Sequence, residues 1–396
     1  MAAKIAINGF GRIGRLFFRQ AFLCPELEIA AVNDLGDVEN LAYLLKYDTV
    51  YGRFSAEVKA NKEKNIITVN GKDIQVFQVK DPAELPWRDL GIDIAVEATG
   101  IFESFEKAKV HLAAGAKRVV ITAPAKDADG SAGLAAVSPA SNGSPQVGST
   151  SPSAVSSGPN GSPQVGSTGP AAVSSVSNGS AVSSEPNGKT ILMGVNEDEL
   201  HNTVLTSNGS CTTNAASPVI QVLSENPGIS KAILNTVHGY TATQNLTDGP
   251  TKGRDFRRGR AAAQNIVPST TGAAIAVTRA IPELTDKFDG VAIRVPVPSG
   301  SVADITFLAK RKVTKEEIND ILRQAAAEPR WRGILAVTEE QVVSSDIVGQ
   351  PYGAIVDLNF TKVVDGDLVK VFSWYDNEFG YVATLVKHVL AAARLV

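Results

Sequence analysis

A six-residue glycine pattern, Gly9-Phe-Gly-Arg-Ile-Gly14, lies between a short apolar run, Lys4-Ile-Ala-Ile-Asn8, and a helix-like stretch, Arg15-Leu-Phe-Phe-Arg-Gln-Ala-Phe22. Strand, glycine turn and helix in that order open a βαβ unit. The three glycines have separate jobs: Gly9 permits the tight turn, Gly11 lets a pyrophosphate approach the backbone, and Gly14 lets helix and strand pack closely. Asp34 follows Gly14 by 20 residues, at the end of the next strand candidate, 27–32. The pattern predicts a dinucleotide with its pyrophosphate on the helix N-terminus. An acidic residue at that position accepts hydrogen bonds from ribose hydroxyls and repels a 2′-phosphate, so NAD is expected rather than NADP.

Further strand candidates are 66–69, 74–78, 92–97, 118–122 and 191–195, with helix-like stretches between several of them, for example 104–114. This alternation predicts an α/β Rossmann domain with a mostly parallel sheet. The second half carries longer strand candidates at 232–237, 291–297, 303–309, 354–357 and 368–374. A helix over 314–327 opens with a Thr-x-x-Glu capping signal, and an amphipathic helix runs over 381–395. The mixture predicts an α+β domain with a mostly antiparallel sheet. At 396 residues the chain exceeds the usual size of one domain.

Residues 131–188 fit neither pattern. They hold no aromatic residue and one charge, Glu185, and they repeat: 144–161 recurs at 162–179 with 14 of 18 positions identical, and a partial third copy ends at Gly188. A stretch of Ser, Gly, Pro, Ala, Val and Asn buries too little apolar surface to offset the entropy of ordering it. It reads as a low-complexity insertion, which loop-closure entropy tolerates. A thin β-solenoid on the 18-residue period and glycosylation at the Asn-Gly-Ser triplets are lesser readings.

The net charge of −3 gives no reason to expect a nucleic-acid partner, and no run of 18 apolar residues points to a membrane span. Two cysteines, Cys24 and Cys211, are too few for a disulfide framework. With no signal-peptide pattern at the N-terminus, the expected setting is cytoplasmic. No metal site is expected. Cys211 lies in Ser207-Asn-Gly-Ser-Cys-Thr-Thr-Asn214, ahead of the apolar run 218–223, which places it at the mouth of a helix. Unpaired N–H groups and the helix dipole there favour thiolate. His238 follows in Val237-His-Gly-Tyr-Thr-Ala-Thr243 and could serve as proton acceptor to a nucleophile that attacks a carbonyl. Cys24, in an apolar helix, reads as structural, and His111, His201 and His388 keep the ordinary reading of packed or surface histidines.

With Gly-Phe-Gly-Arg-Ile-Gly, Ser-Cys-Thr-Thr-Asn, His-Gly-Tyr-Thr-Ala-Thr-Gln and Ser373-Trp-Tyr-Asp-Asn-Glu-Phe-Gly-Tyr381 in hand, the chain resembles the phosphorylating glyceraldehyde-3-phosphate dehydrogenases, those that form an acyl phosphate. The run Arg257-Arg-Gly-Arg-Ala-Ala-Ala-Gln-Asn-Ile-Val-Pro-Ser-Thr-Thr-Gly-Ala-Ala274 and Arg294-Val-Pro-Val-Pro298 also match. The likeness runs from Ile5 to about His388, broken by the repeat segment. The resemblance implies an NAD-binding domain over 1–210, interrupted at 131–188 and completed by the C-terminal helix 378–396, with a catalytic domain over 211–377. It implies a homotetramer that oxidises D-glyceraldehyde 3-phosphate with NAD and inorganic phosphate to 1,3-bisphosphoglycerate.

It further implies that Cys211 attacks the aldehyde and His238 takes the proton as hydride leaves. Thr241 and Arg294 would hold the substrate's phosphate. Ser210, Thr212, Thr271 and Gly272 would hold the attacking phosphate, with Arg258 between the two sites. Gly9, Gly11, Arg12, Ile13 and Gly14 would form the pyrophosphate turn, Asp34 would take the ribose, and Lys80 and Thr122 the adenosine side. Asn377 would bond the nicotinamide carboxamide. Gly209, Ala215 and Ile275 depart from the commonest family pattern without removing a group the chemistry needs. The nearest rival is erythrose-4-phosphate dehydrogenase. A rival of another class is an NAD-binding scaffold whose repeats capture a partner.

Overall fold

The computed structural model describes residues 2–126, 188–251 and 255–396. The repeat stretch lies outside the described residues except for its last glycine, Gly188.

Among the described residues, one sheet orders its strands, edge to edge, as Lys189–Thr190, Leu205–Ser207, Arg118–Ile121, Ile94–Glu97, Ala3–Asn8, Leu27–Asn33, Lys72–Phe77, Ile66–Val69 and Val58–Asn61. The first seven pair in parallel and the last two close an antiparallel edge. The order reverses on either side of Ala3–Asn8, the switch point outside whose carboxyl end ligands bind in open α/β sheets. Asn8, Asn33 and Glu97 end adjacent strands there and are linked. Asn33 Nδ2 donates to Asn8 Oδ1 (2.7 Å) and Asn8 Nδ2 to Glu97 Oε2 (2.6 Å). His111 Nε2 lies 3.0 Å from the same carboxylate, and Trp87 Nε1 donates to His111 Nδ1 (3.1 Å). His111 is thus a bonded core histidine, as expected.

The second sheet orders Val267–Thr270, Phe288–Val295, Ile229–Gly239, Ser301–Ala309, Leu368–Tyr375, Ala354–Val364 and Leu335–Thr338. Among the described residues it is mostly antiparallel, with parallel pairings only between Ile229–Gly239 and Phe288–Val295 and between Leu335–Thr338 and Ala354–Val364. Helix Cys211–Glu225 buries Ala215, Ala216, Val219, Ile220 and Leu223 against this sheet's core. Helix Lys315–Ala327 is capped by Thr314, whose side chain accepts from Glu317 N, while Glu317 itself turns to Arg311 (2.6 Å). The last helix, Phe379–Ala393, returns Tyr381, Val382, Leu385, Val386 and Val389 to the core of the first sheet. Cys211 packs against both cores.

Two local expectations need correction. Residues 191–195 are not a strand: Ile191, Leu192 and Met193 are buried, which gave the run its strand-like look, but Gly194 takes φ +77° and Asn196 Oδ1 accepts from Leu192 N (2.8 Å), closing a turn. The helix expected over 104–114 divides into Phe105–Ala108, capped by Ser104, and Val110–Ala113.

Candidate active site

Ser210 caps the helix that begins at Cys211. Its hydroxyl accepts from Thr213 N (3.1 Å), and Thr213 Oγ1 accepts from Ser210 N (3.2 Å), a reciprocal capping box. The box fixes the first turn, so the Cys211 thiol emerges at a defined angle. The N–H groups of Cys211 and Thr212 face the sulfur and favour its ionised form. Cys211 Sγ lies 3.3 Å from His238 Nε2. His238 stands near the end of strand Ile229–Gly239 and is 2% exposed.

Burial pushes the thiol above its ordinary value, and the nearby Arg294 charge and the helix-mouth donors oppose it without winning. Burial, then the Arg294 charge, push the imidazole down to about 3. Burial thus works against the thiolate that the helix mouth favours, and it keeps the imidazole from holding a proton. Gly239 O lies 2.6 Å from His238 Nδ1, and Arg294 Nη1 lies 2.5 Å from the same nitrogen. One ring nitrogen cannot both donate to a carbonyl and accept from a guanidinium. With Nδ1 protonated, Nε2 is left to accept from the thiol; with Nδ1 bare, Nε2–H points at the sulfur.

Polar and cationic groups flank this pair. Thr241 Oγ1 meets Thr243 Oγ1 (2.9 Å), Arg258 Nη1 donates to Thr243 Oγ1 (3.0 Å), and Arg258 Nη2 donates to the buried Ser269 Oγ (2.8 Å). Arg294 Nε is buried without a partner, as befits a guanidinium built to receive an anion. Gly272 precedes helix Ala273–Ala280 with no side-chain cap, and Thr271 Oγ1 accepts from Ala273 N (3.2 Å). Thr212 differs from its expected role. Its hydroxyl is buried between the thiol and Tyr375 OH (2.9 Å), so it bears on the sulfur and is not an open phosphate ligand.

The glycine turn forms the neighbouring cleft. Gly9 has φ +96°, and a Cβ there would come within 2.6 Å of the Ala98 backbone. A Cβ on Gly14 would lie 2.0 Å from Gly9 O, whereas one on Gly11 would meet nothing within 4 Å. Two glycines thus serve close packing, and the third leaves an open cradle that fits a pyrophosphate. Gly11 starts helix Arg12–Ala21 without a side-chain cap, so first-turn N–H groups are left for an anion. The Arg12 side chain is engaged elsewhere: its guanidinium is held by Glu378 and by Asp48 (2.6 Å). Asp34 accepts from Phe10 N (2.7 Å) and Gly36 N (2.9 Å), which aims its half-exposed carboxylate. Lys80 is exposed, and Thr122 N donates to Glu97 O (3.0 Å). Asn377 is buried, with Oδ1 accepting from Ser301 Oγ (2.8 Å).

Sequence reasoning missed the groups that hold these residues. Asp376, fully buried, accepts from Tyr51 OH (2.8 Å), Ser299 Oγ (2.8 Å) and Gly349 N (2.7 Å). Tyr375 OH joins Thr212 to Thr236 Oγ1 (2.7 Å), one strand pleat from His238. The run 373–381 contained both signals, yet only Asn377 was singled out of it. Tyr381 OH donates to Gly209 O (3.1 Å), and His388 faces Thr206 Oγ1 (3.0 Å) and Asn208 Oδ1 (3.1 Å), so the last helix braces the turn ahead of the nucleophile. No group of three His, Cys, Asp or Glu among the described residues is placed to hold a metal, and no helix among them is long and apolar enough to cross a membrane.

Comparison with known proteins gives one answer. Residues 3–105 match the family described as the NAD binding domain of glyceraldehyde 3-phosphate dehydrogenase, and residues 210–377 match its C-terminal domain. The chain is similar to proteins named glyceraldehyde-3-phosphate dehydrogenase from Streptomyces coelicolor (42% identical, covering 98% of this chain and 97% of that one), Clostridium pasteurianum (41%, 97% and 96%) and Geobacillus stearothermophilus (43%, 96% and 95%).

Proposed function

The chain belongs to the glyceraldehyde-3-phosphate dehydrogenase family and is an NAD-dependent oxidoreductase of glycolysis, and we propose that Cys211 and His238 carry its chemistry. The substrate is D-glyceraldehyde 3-phosphate, the second substrate inorganic phosphate, and the product 1,3-bisphosphoglycerate. The observation that carries this assignment is the 3.3 Å contact between Cys211 Sγ and His238 Nε2 at the mouth of a capped helix, beside Arg294.

The substrate's phosphate engages Arg294 and Thr241. Drawing the guanidinium to an anion releases His238 Nδ1 to Gly239 O, so Nε2 becomes the acceptor. It also neutralises the charge that holds the imidazole down. The thiol proton passes to Nε2 as sulfur forms a bond to the aldehyde carbon, and the carbonyl electron pair takes that proton as hydroxyl. Bound NAD supplies the hydride acceptor. His238 Nε2 then takes the hydroxyl proton while the C–H electron pair departs, leaving a thioester on Cys211. Inorganic phosphate, held by Ser210, Thr271, Gly272 and Arg258, attacks the thioester carbon. The C–S bond breaks, and sulfur leaves as thiolate beside protonated His238. The backbone N–H groups of Arg12 and Ile13 hold the pyrophosphate in the glycine turn, Asp34 the ribose, Lys80 and Thr122 the adenosine side, and Asn377 the carboxamide.

We assign residues 1–210 and the last helix to the NAD-binding domain and 211–377 to the catalytic domain. A homotetramer in the cytoplasm fits this reading. Ile233 (57% exposed) and Val291 (51%) lie diagonally on one face of the second sheet, and Leu246, Phe256 and Ile266 are also exposed, an apolar set that a second copy would cover. The test is NADH formation from the triose phosphate and from erythrose 4-phosphate, each with and without phosphate, for the wild type and Cys211→Ser. Phosphate-dependent turnover of the triose that falls roughly 10⁴-fold in the variant is expected. Turnover that ignores phosphate, or that survives the substitution, overturns the assignment.

A further inference from the structure

We propose that Ser301 is a positioning residue for hydride transfer, its hydroxyl setting which way the Asn377 amide faces and tying that amide to the strand that carries His238. Ser301 opens strand Ser301–Ala309 and is 1% exposed. Gly239 N donates to its Oγ (3.1 Å), and Oγ donates to Asn377 Oδ1 (2.8 Å). The buried hydroxyl proton decides the direction. Gly239 N–H takes one lone pair of Oγ, and Asn377 Oδ1 is the acceptor that receives the hydroxyl proton. With Nδ2 turned to Oγ instead, two donors would face the hydroxyl and its proton would lose that acceptor, so Oδ1 faces Ser301 and Nδ2 is the group offered to the cleft. With Oδ1 turned outward instead, Asn377 would present an acceptor to a carboxamide oxygen, and the nicotinamide would be favoured in its ring-flipped orientation, with the other face toward the substrate.

The hydroxyl is itself well placed. Gly300 before it takes φ +87°, and a Cβ there would lie 2.2 Å from Ser344 O, so the turn into the strand has no room to shift. Gly239 follows His238 directly, and its carbonyl lies 2.6 Å from His238 Nδ1. One peptide unit thus separates the contact that sets the tautomer of the base from the contact that sets the amide.

This inference rests on the assignment of Asn377 to the carboxamide, so the experiment separates the two. NAD affinity is measured by calorimetry, and the face of transfer by following deuterium from 4-deuterated NAD into NADH, for Ser301→Ala, Asn377→Ala and the double variant. Thermal unfolding of each without cofactor checks the fold. For Ser301→Ala we expect NAD binding weakened about tenfold, wrong-face transfer rising from none to at least about 1%, equivalent to losing part of a roughly 100-fold or greater preference, and a KM for the triose within about twofold. The double variant is expected to be no worse than Asn377→Ala, because the serine acts through that amide; additive losses would mean a merely structural serine and overturn the proposal. Unchanged affinity and strict one-face transfer in Ser301→Ala, with both lost in Asn377→Ala, overturn Ser301's role and leave the Asn377 assignment standing. Both readouts unchanged in Asn377→Ala overturn the two together.

Discussion

The pockets around His238 and His388 are alike in burial, and chemistry is proposed for only one of them. Both imidazoles are at most 2% exposed, and burial is the first cause that pushes each down to about 3. Both rings have partners at both nitrogens. The difference is in the partners. His388 faces a threonine hydroxyl and an asparagine amide, which neither gain nor lose a proton near neutrality. His238 faces a thiol on one side and, on the other, a guanidinium with an unpartnered buried nitrogen. A displaced histidine marks burial. A site needs a reactive group within reach of the ring and a movable charge behind it.

The sharpest way to break this comparison is to replace both rings with asparagine. His238→Asn is expected to lower kcat by roughly 10²–10⁴-fold, the usual worth of a general base, while His388→Asn changes it by no more than about threefold. Comparable losses in both would remove the distinction. Next in size is the acid limb of stability. An imidazole at about 3 when folded and 6.5 when unfolded binds fewer protons in the folded state between those values. Stability is therefore intact above 6.5 and falls as the pH drops toward 3, by about 1.4 kcal/mol per pH unit for each such group. Chemical unfolding at several pH values should show His388→Leu with a shallower acid slope than the wild type and His238→Asn shallower by the same amount. At neutral pH, His388→Leu should cost about 1–3 kcal/mol by taking the ring partner from the buried Asn208 Oδ1, while Thr206 Oγ1 keeps Val119 O (3.3 Å) and Asn208 Nδ2 keeps Thr384 Oγ1 (3.3 Å). The smallest effect concerns the repeat stretch. Gly188 is buried, and a Cβ on it would lie 2.1 Å from the Phe105 ring, so it belongs with the framework. Deleting 131–187 while keeping it should change the KM for NAD by less than about tenfold; a larger change would link the repeats to the cofactor cleft.

What could be read from the sequence was what is local in it. The glycine turn, its Asp34, the cysteine at a helix mouth and the histidine beyond it are short patterns whose spacing carries their meaning. The two sheets followed from strand–helix alternation in one half and long strands in the other. The contacts that hold the site follow no such spacing. Arg12 and Glu378 are 366 residues apart, and Tyr51 and Asp376 are 325 apart. Ser301 opens a strand and Asn377 lies in a turn 76 residues further on, with nothing in either sequence neighbourhood to announce the other. The family resemblance implied Thr212 as a phosphate ligand; only packing reveals that Tyr375 OH engages its hydroxyl. The ionisation of Cys211 was read from the groups around it, whereas the cost of removing it from water depends on the complete fold.

The helix Phe379–Ala393 has a consequence for biosynthesis. Glu378 at its start grips Arg12, Tyr381 reaches the turn before Cys211, and His388 pins that turn from beneath. These residues leave the ribosome after everything they touch. A nascent chain that has emerged only as far as Tyr375 has its glycine turn, thiol and imidazole already made, but not the struts that align them. The segment ahead of the sulfur therefore gains its bracing from Tyr381 and His388 only once translation has passed this helix.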